Sequence, residues 1–232
     1  MNNNKKIPKI IHITYKDKNK IPNYVFYNLK KYAYDYDIIY YSDNDCFNFL
    51  KKYYNINFAN LFNKLSTGAH KADFFRYCLL YKIGGIYIDI KIKPYIYFNK
   101  IFNHYNDNNF YSVLSNDHIF QGIIATYPNN DFFKLLINDF FKLNNNFFTI
   151  KMNAGNNDYH YFTIKFYYHL KNILKNKLKV GLNSKNDFSI ILFNEKNINI
   201  NNENKDFYGE YWNIFDKNDK HLFKTRYNSY PW

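Results

Sequence analysis

The segment Gly68–Pro94 contains the residue types and spacings best suited to chemistry. Asp73 and Arg76 lie three residues apart, so they are neighbours on a helix surface, and Asp89 follows them after a Gly-Gly pair. Carboxylates accept hydrogen bonds from hydroxyl groups, and a guanidinium donates to oxygens. Taken alone, the Asp73–Arg76 pair is typical of an ordinary surface ion pair. Together with Asp89 in one cleft, it would suit a polyhydroxylated ligand that carries phosphates.

Two elements must position these residues. A helix is predicted from about Ser66 to Ile83, because apolar residues recur at helical spacing between Ala72 and Ile83. Gly84 and Gly85 suit the end of that helix and a tight turn. A continuous strand is predicted over Ile86–Lys93, with its isoleucines facing a core and one other face shared by Tyr87, Asp89, Lys91 and Lys93. A carboxylate near the carboxyl end of such a strand lies where wound α/β sheets bind ligands.

Strand and helix patterns alternate along most of the chain. Further strands are predicted at Ile7–Tyr15, Asp37–Tyr41, Phe110–Leu114, Ile119–Thr126 and about Phe188–Phe193. Further helices are predicted at Pro22–Ala33, from an N-cap at Asp43 or Asp45 to Tyr54, at Asn130–Leu143 and at Tyr159–Lys175. This alternation indicates an α/β domain with a mostly parallel sheet.

The composition excludes several classes of protein. The chain has 232 residues, of which 47% are hydrophobic and 22% aromatic, too rich for intrinsic disorder. No apolar stretch is long enough to cross a membrane as a helix, and the apolar run near the N-terminus is too short for a signal peptide. Cys46 and Cys78 have neither disulfide-framework nor metal-ligand spacing. We therefore expect a cytoplasmic protein or one held at the cytoplasmic membrane face.

The net charge of +13 arises from 32 basic and 19 acidic residues, and only Arg76 and Arg226 are arginines. Such a charge suits a nucleic-acid binder. The lysines, however, are scattered rather than gathered into a stripe, and no nucleic-acid motif is present. Nucleic acid is therefore not the expected partner.

The residues from Ala72 to Asp89 carry a resemblance to a known family. Their pattern, Ala-Asp-x-x-Arg-Tyr-x-x-Leu-Tyr-x-x-Gly-Gly-Ile-Tyr-x-Asp, resembles the core of the family 32 glycosyltransferases, which have a DXD sugar-binding region and include relatives of the glucosylating toxins. Ile7–Tyr15 is similar to the family's opening strand, and Tyr40–Asp43 to the end of its second strand. The similarity extends over about residues 7–130.

The resemblance implies a GT-A fold: a Rossmann-like nucleotide-binding sheet with helical additions. It implies a single catalytic domain, 1–232, with a nucleotide-sugar part at about 7–130 and an acceptor part at about 131–232. The implied reaction moves a sugar from a UDP- or GDP-sugar to a glycan or protein hydroxyl, with retention. The alternative is a weak or inactive protein of the same fold that binds nucleotide sugars or glycans.

The resemblance also assigns roles by position. The strand end would lie along the nucleoside, through Ile11, His12, Ile13 and Thr14. Asp73 and Arg76 would hold the donor sugar, and Asp89 would contact ribose, sugar or a bound Mn²⁺ or Mg²⁺; these three are the expected catalytic residues. Further contacts to the substrate are expected from Tyr87, Lys91 and Gln121.

Residue 91 departs from the family pattern, because Lys91 stands where a second, metal-binding acid is usual. Three interpretations are open. A divalent cation binds through Asp89, diphosphate oxygens, waters and a group from the C-terminal part; the Lys91 ammonium replaces its charge; or the fold binds without catalysing. Positive charge at the leaving diphosphate is the chemical requirement in each active case.

Other residues give weaker signals. His12 suits either a nucleobase contact or an ordinary strand histidine, and Asn116-Asp117 suits either a site or a turn. Glu195 and Asp206 are candidate acids without motif support, Trp212 and Trp232 suit either sugar stacking or packing, and Arg226 suits either phosphate binding or a structural contact. Met152–Gly155 stands about where the family has a Thr-Gly-Pro turn.

Overall fold

The computed structural model describes residues 5–102, 109–143, 160–200 and 212–225. The helices are α1 (Asn23–Tyr32), α2 (Asp43–Tyr53), α3 (Ile56–Lys64), α4 (Gly68–Ile83), α5 (Phe132–Phe141) and α6 (Tyr161–Leu174). The strands are β1 (Ile10–Thr14), β2 (Asp37–Tyr41), β3 (Gly85–Ile88), β4 (Ile92–Pro94), β5 (Asn109–Ser115), β6 (His118–Thr126), β7 (Gly181–Lys185), β8 (Phe188–Asn197), β9 (Trp212–Phe215) and β10 (His221–Thr225).

Within the described ranges, these ten strands form one mixed sheet in the order β2-β1-β3-β6-β5-β8-β9-β10-β4, with β7 paired to β8. Strand β1 pairs in parallel with β2 and β3, and β5 with β8. The remaining pairs, including β3 with β6 and β10 with β4, are antiparallel. The α/β class is confirmed, but the expectation of a mostly parallel sheet is wrong. Strands β2, β1 and β3 are parallel, and most of the strand pairs added beyond them are antiparallel.

The sheet is covered by apolar side chains on both faces. One cluster joins helices α2 to α6 to the sheet, and the other lies against α1 and the isoleucines of β1 and β3. Helix α4 is buried nearly all round rather than on one stripe, with Phe74, Phe75 and Leu79 each 0% exposed. Every residue of β3 is buried. The helices therefore cover the face that carries Tyr87, and the isoleucine face of β3 is covered by the other cluster.

The predicted strand over 86–93 is interrupted. Strand β3 pairs with β6 as far as Ile88, whereas β4 pairs with β10. The chain must turn between these two partners, and the Ile92 N–H closes the turn on the Asp89 carbonyl at 3.0 Å. Asp89 and Lys91 therefore lie in a turn, not on a strand face.

The start of α2 also differs from the prediction. Ser42, rather than Asp43 or Asp45, is the N-cap. Its hydroxyl accepts from the Asp45 N–H at 3.2 Å, and Asp45 accepts from the Ser42 N–H at 2.9 Å. Asp45 is the acidic partner of this capping box, and the hydrogen bonds from Ser42 lower the pKa of Asp45 to about 2.

No helix in the described part of the chain is both long enough and apolar enough to cross a membrane.

Candidate functional site

A cavity of about 510 Å³ opens where β1 and β3 end and α4 begins. Carboxyl ends of neighbouring parallel strands are the usual ligand position in wound α/β sheets. The cavity wall includes seven residues that the sequence singled out: Thr14, Asp73, Arg76, Tyr87, Asp89, Lys91 and Gln121.

Four charged side chains, Asp73, Arg76, Asp89 and Lys91, form what we call the floor of this cavity. Arg76 connects this floor. Its side chain is 5% exposed. The Nε atom donates to the Ala72 carbonyl at 3.1 Å, and Nη1 donates to the Gln121 carbonyl. The Nη2 atom lies 3.4 Å from Asp73 Oδ1 and 3.5 Å from Asp89 Oδ1. The guanidinium thus fixes two carboxylates that come from different elements.

Burial makes this cluster electrostatically unusual. It raises the pKa of Asp73, an effect that Arg76 only partly offsets. Burial alone would lower the pKa of Arg76, but Tyr87, Asp73 and Asp89 outweigh it and raise that pKa further. Arg76 is therefore a permanent cation.

A chain of hydroxyl groups orients Asp89. The Tyr87 hydroxyl donates to Asp89 Oδ1 at 3.1 Å, so the Thr14 hydroxyl must donate to the Tyr87 oxygen, 2.7 Å away. The Tyr87 ring also lies under Arg76, with 4.3 Å between the guanidinium carbon and the ring centroid. Strand β1 and strand β3 thereby fix the same carboxylate.

Gln121 presents an unsatisfied donor. Its Oε1 accepts from the Tyr77 hydroxyl at 2.6 Å, which leaves Nε2 as the free end of the amide. Gln121 is 3% exposed, and its Nε2 has no hydrogen-bond partner among the described residues. Buried polar groups are nearly always satisfied, so this atom is suited to meeting a ligand oxygen.

The residues at the floor do not fit a protein-built site for a divalent cation. Asp89 Oδ1 is already engaged by Tyr87 and Arg76, and Asp89 Oδ2 lies 3.9 Å from the Lys91 ammonium. The described ranges contain no group of three or more His, Cys, Asp or Glu residues able to hold a metal. A metal role for Asp89 would place a dication directly beside two protein cations.

The structure places Ile11, His12 and Ile13 away from the cavity wall. The two isoleucines are 0% exposed, because they lie in the hydrophobic cluster on the α1 side of the sheet. His12 donates from Nε2 to the Gly84 carbonyl at 3.0 Å, so its Nδ1 accepts from the Tyr41 hydroxyl at 3.2 Å. Thr14 is the member of this group that reaches the cavity.

Several cavity residues were not predicted from the sequence to be site residues. They include Lys16, Asp43, Lys71, His118, Phe120, His160 and Thr163. The rings of His118 and His160 lie 5.7 Å apart, and burial, aided by His160, lowers the pKa of His118. These residues come from five separated segments with no shared motif, so only the fold brings them together.

Gly122 is the exception, because its sequence context contains a signal. A glycine inside a strand pattern indicates a close approach of another group. A Cβ at this position would lie 2.3 Å from the Phe120 ring and 3.1 Å from Asp89 Oδ2. The absence of a side chain at Gly122 therefore leaves room first for the Phe120 ring and then for the Asp89 carboxylate.

The weaker sequence candidates do not line this cavity. Asn116 has φ of 51° in the tight exposed turn between β5 and β6, which confirms turn chemistry. Glu195 lies buried in β8, and Trp212 begins β9. Four candidates lie outside the described residues: Met152–Gly155, Asp206, Arg226 and Trp232.

Comparison with known proteins gives two matches. Residues 22–108 match the family described as glycosyltransferase sugar-binding region containing DXD motif. Among solved structures, the chain is similar to the PaToxG glycosyltransferase, with 15% identity and a TM-score of 0.51 over 74% of this chain and 70% of that one. No curated protein sequence matches the chain significantly.

The two matches agree with the geometry. The family segment ends before β5 and contains α4, β3 and the turn that carries Asp89 and Lys91. The structural similarity confirms the glycosyltransferase fold expected from the sequence. Residues 22–108 are therefore similar to a glycosyltransferase sugar-binding region with a DXD motif, and the chain shares its fold with a glycosyltransferase.

Proposed function

We propose that the protein transfers a sugar from a UDP- or GDP-sugar to a hydroxyl of a glycan or protein, with retention of the anomeric configuration. The observation that carries the proposal is the pairing of Asp73 and Asp89 with Arg76 at the floor of the cavity. This arrangement fixes two carboxyl groups where they can form hydrogen bonds with a sugar's hydroxyl groups.

The size and polarity of the cavity support this donor class. A volume of about 510 Å³ lies in the usual range for small-molecule and cofactor sites. The Gln121 amide supplies a donor for a sugar oxygen, while Lys91 supplies a cation for phosphate oxygens. Thr14, at the end of β1, would face the nucleoside side of the donor.

The proposed reaction exchanges one bond for another at the anomeric carbon of the donor. The bond to the terminal diphosphate oxygen breaks, and its electron pair leaves with the nucleoside diphosphate. The acceptor oxygen bonds to the same carbon, and its hydroxyl proton passes to the departing diphosphate oxygen. Negative charge develops on the leaving group, so fixed cations beside it lower the barrier.

The part of the cavity wall formed by the starts of β6 and α6 is the proposed acceptor entrance. His118 from the start of β6 meets His160 and Thr163 from the start of α6 there. These side chains can exchange hydrogen bonds with an acceptor's hydroxyl groups. In this proposal, the C-terminal half of the chain contributes mainly to acceptor binding.

A panel of UDP- and GDP-sugars tests the proposal directly. We expect hydrolysis or transfer of at least one donor, with the product's anomeric configuration matching the donor's by NMR. Asp89→Asn should reduce kcat/KM by about 100-fold, because it removes a fixed charge at the reacting face while preserving shape.

Asp131→Asn is the matched control, since Asp131 is 81% exposed in its side chain and pairs only with Lys134 among the ion pairs of the described residues. It should leave kcat/KM unchanged. Absence of turnover with every donor, combined with nucleotide binding that Asp89→Asn does not alter, would contradict the proposal. Tight donor binding without turnover would instead identify a nucleotide-sugar-binding protein.

A further inference from the structure

The turn between β3 and β4 places a lysine directly at the candidate donor site. The Asp89 N–H donates to the Gly122 carbonyl at 2.9 Å, and the Ile92 N–H donates back to the Asp89 carbonyl at 3.0 Å. These two bonds fix the turn at both ends. Lys91 lies within it, and its ammonium is 3.9 Å from Asp89 Oδ2.

Lys91 is the most accessible of the four charged groups at the cavity floor. Its side chain is 29% exposed, against 20% for Asp89, 9% for Asp73 and 5% for Arg76. Arg76 directs its donors at protein carbonyls and carboxylates, so it holds the floor rather than the ligand. The ammonium of Lys91 is therefore the floor cation best placed to meet an incoming phosphate.

The same positions disfavour a dication. A metal bound at Asp89 would lie beside both Lys91 and Arg76, and like charges this close repel strongly at a partly buried site. Two carboxyl groups already face one guanidinium and one ammonium, so this group of side chains carries no excess negative charge. A nucleoside diphosphate adds negative charge, which an ammonium can offset directly.

We propose that Lys91 supplies the positive charge at the diphosphate, so that the protein binds and uses its donor without a divalent cation. This inference rests on the proposed function and specifies its cofactor requirement. As the anomeric carbon–oxygen bond breaks, the electron pair goes to the diphosphate oxygen, and the Lys91 ammonium stabilises that oxygen without giving up its proton.

Calorimetry with UDP and GDP, in EDTA or in MnCl₂, tests the inference without requiring turnover. The diphosphate that binds the wild-type protein should do so with Kd values within about twofold in the two buffers. Lys91→Met should weaken binding at least tenfold in EDTA, whereas Lys91→Arg should retain most of the affinity. Lys91→Asp places a second acid beside Asp89, and it should bind the nucleotide only when Mn²⁺ is present.

Lys93→Met is the matched control, because Lys93 lies two residues further along and is not among the cavity residues. It should bind like the wild type, and thermal unfolding should show each variant folded. The inference is overturned if EDTA weakens wild-type binding more than tenfold, or if Lys91→Met binds normally in EDTA. Donor turnover under those outcomes would leave the proposed function standing. The absence of both binding and turnover in every buffer would reject the inference and the proposed function together.

Discussion

Arg76 is one of two arginines in a chain with thirty lysines. Its three nitrogen atoms reach two carbonyls and two carboxylates at once, in a side chain that is 5% exposed. A lysine ammonium is a single point and cannot span these four acceptors. The rare use of arginine therefore has a geometric reason at this position.

Replacing Arg76 tests charge and geometry separately. Arg76→Met leaves the buried Asp73 and the partly buried Asp89 without their cation, and we expect the free energy of unfolding to fall by about 3–5 kcal/mol. Arg76→Lys keeps the charge but leaves buried acceptors unsatisfied, a loss of about 1–3 kcal/mol. Urea unfolding measures both values, and an Arg76→Lys variant as stable as the wild type would show that the fork geometry is unimportant.

His12 is a structural residue that makes stability depend on pH. Burial lowers the pKa of His12 to about 4, and the hydrogen bond to Gly84 offsets this only in part. The unfolded chain protonates near pH 6.5 and the folded chain near pH 4, so stability is full above pH 6.5 and declines as the pH falls towards 4. The expected loss is about 3 kcal/mol.

The measurement compares urea unfolding of the wild type and His12→Gln between pH 7 and pH 4. Every other titrating group is common to both proteins and cancels. The wild type should lose about 3 kcal/mol more than the variant over this range. Parallel stability curves would show that His12 does not carry this dependence.

At the scale of elements, the Gly84-Gly85 turn sets the angle between α4 and β3. Both residues have positive φ, of 70° and 97°. A Cβ at Gly85 would lie 2.7 Å from the Ile10 carbonyl oxygen and 2.9 Å from His12 Nε2. The turn thus brings the helix that carries Arg76 against the strand that leads to Asp89, and only glycine fits.

Gly85→Ala should therefore destabilise the fold by about 1–3 kcal/mol or more, from backbone strain and a clash with β1. Gly68→Ala is the matched control, since a Cβ at Gly68 meets nothing within 4 Å. That change should be neutral or stabilise by up to about 1 kcal/mol, because alanine favours helix. Chemical denaturation measures both, and similar values for the two variants would contradict the packing argument.

The sequence predicted most elements but missed the break after β3. Alternating isoleucines from Ile86 to Ile92 fit one strand, and no residue type between them indicates a break. The break exists because β10, more than 120 residues later, takes β4 as its partner while β6 keeps β3. A change of strand partner leaves no mark on local periodicity.

At the scale of the molecule, the C-terminal strands complete the sheet beside the site. Strand β10 pairs with β4, and Phe223, which is 0% exposed, packs edge-on against Phe98 with ring centroids 5.9 Å apart. The turn with Lys91 is thereby held between the N-terminal and C-terminal portions of the chain. We therefore predict that the chain unfolds as a single unit.

Phe223→Ala tests that prediction. It should lower stability by about 3–5 kcal/mol and shift one cooperative unfolding transition as a whole. Leu182→Ala, at a side chain that is 51% exposed, should change stability by less than about 0.5 kcal/mol. A separate early transition in Phe223→Ala, seen by tryptophan fluorescence but not by circular dichroism, would show that β9 and β10 form an independent unit.

Many of the surplus lysines contact other parts of the same molecule. Many lysines lie over aromatic rings of the protein itself, such as Lys52 at 5.1 Å from the Tyr53 ring centroid and Lys5 at 5.1 Å from that of Tyr127. In these pairs, lysine and tyrosine, two abundant residue types of the chain, contact each other. The charge of +13 is thus spread over many local contacts, and Lys91 is one of three lysines that line the cavity, with Lys16 and Lys71.

The sequence by itself determined the helix that carries Asp73 and Arg76, the strand that leads to Asp89, the glycine turn between them and the family resemblance. These depend on neighbouring residues, and periodicity and turn chemistry record them. Only the tertiary structure decided that Arg76 binds protein groups, that Ile11 to Ile13 lie in the core, and that His118 and His160 share the cavity. Burial and distant pairing set those outcomes, because they depend on which segments meet in space rather than on which follow one another in the chain.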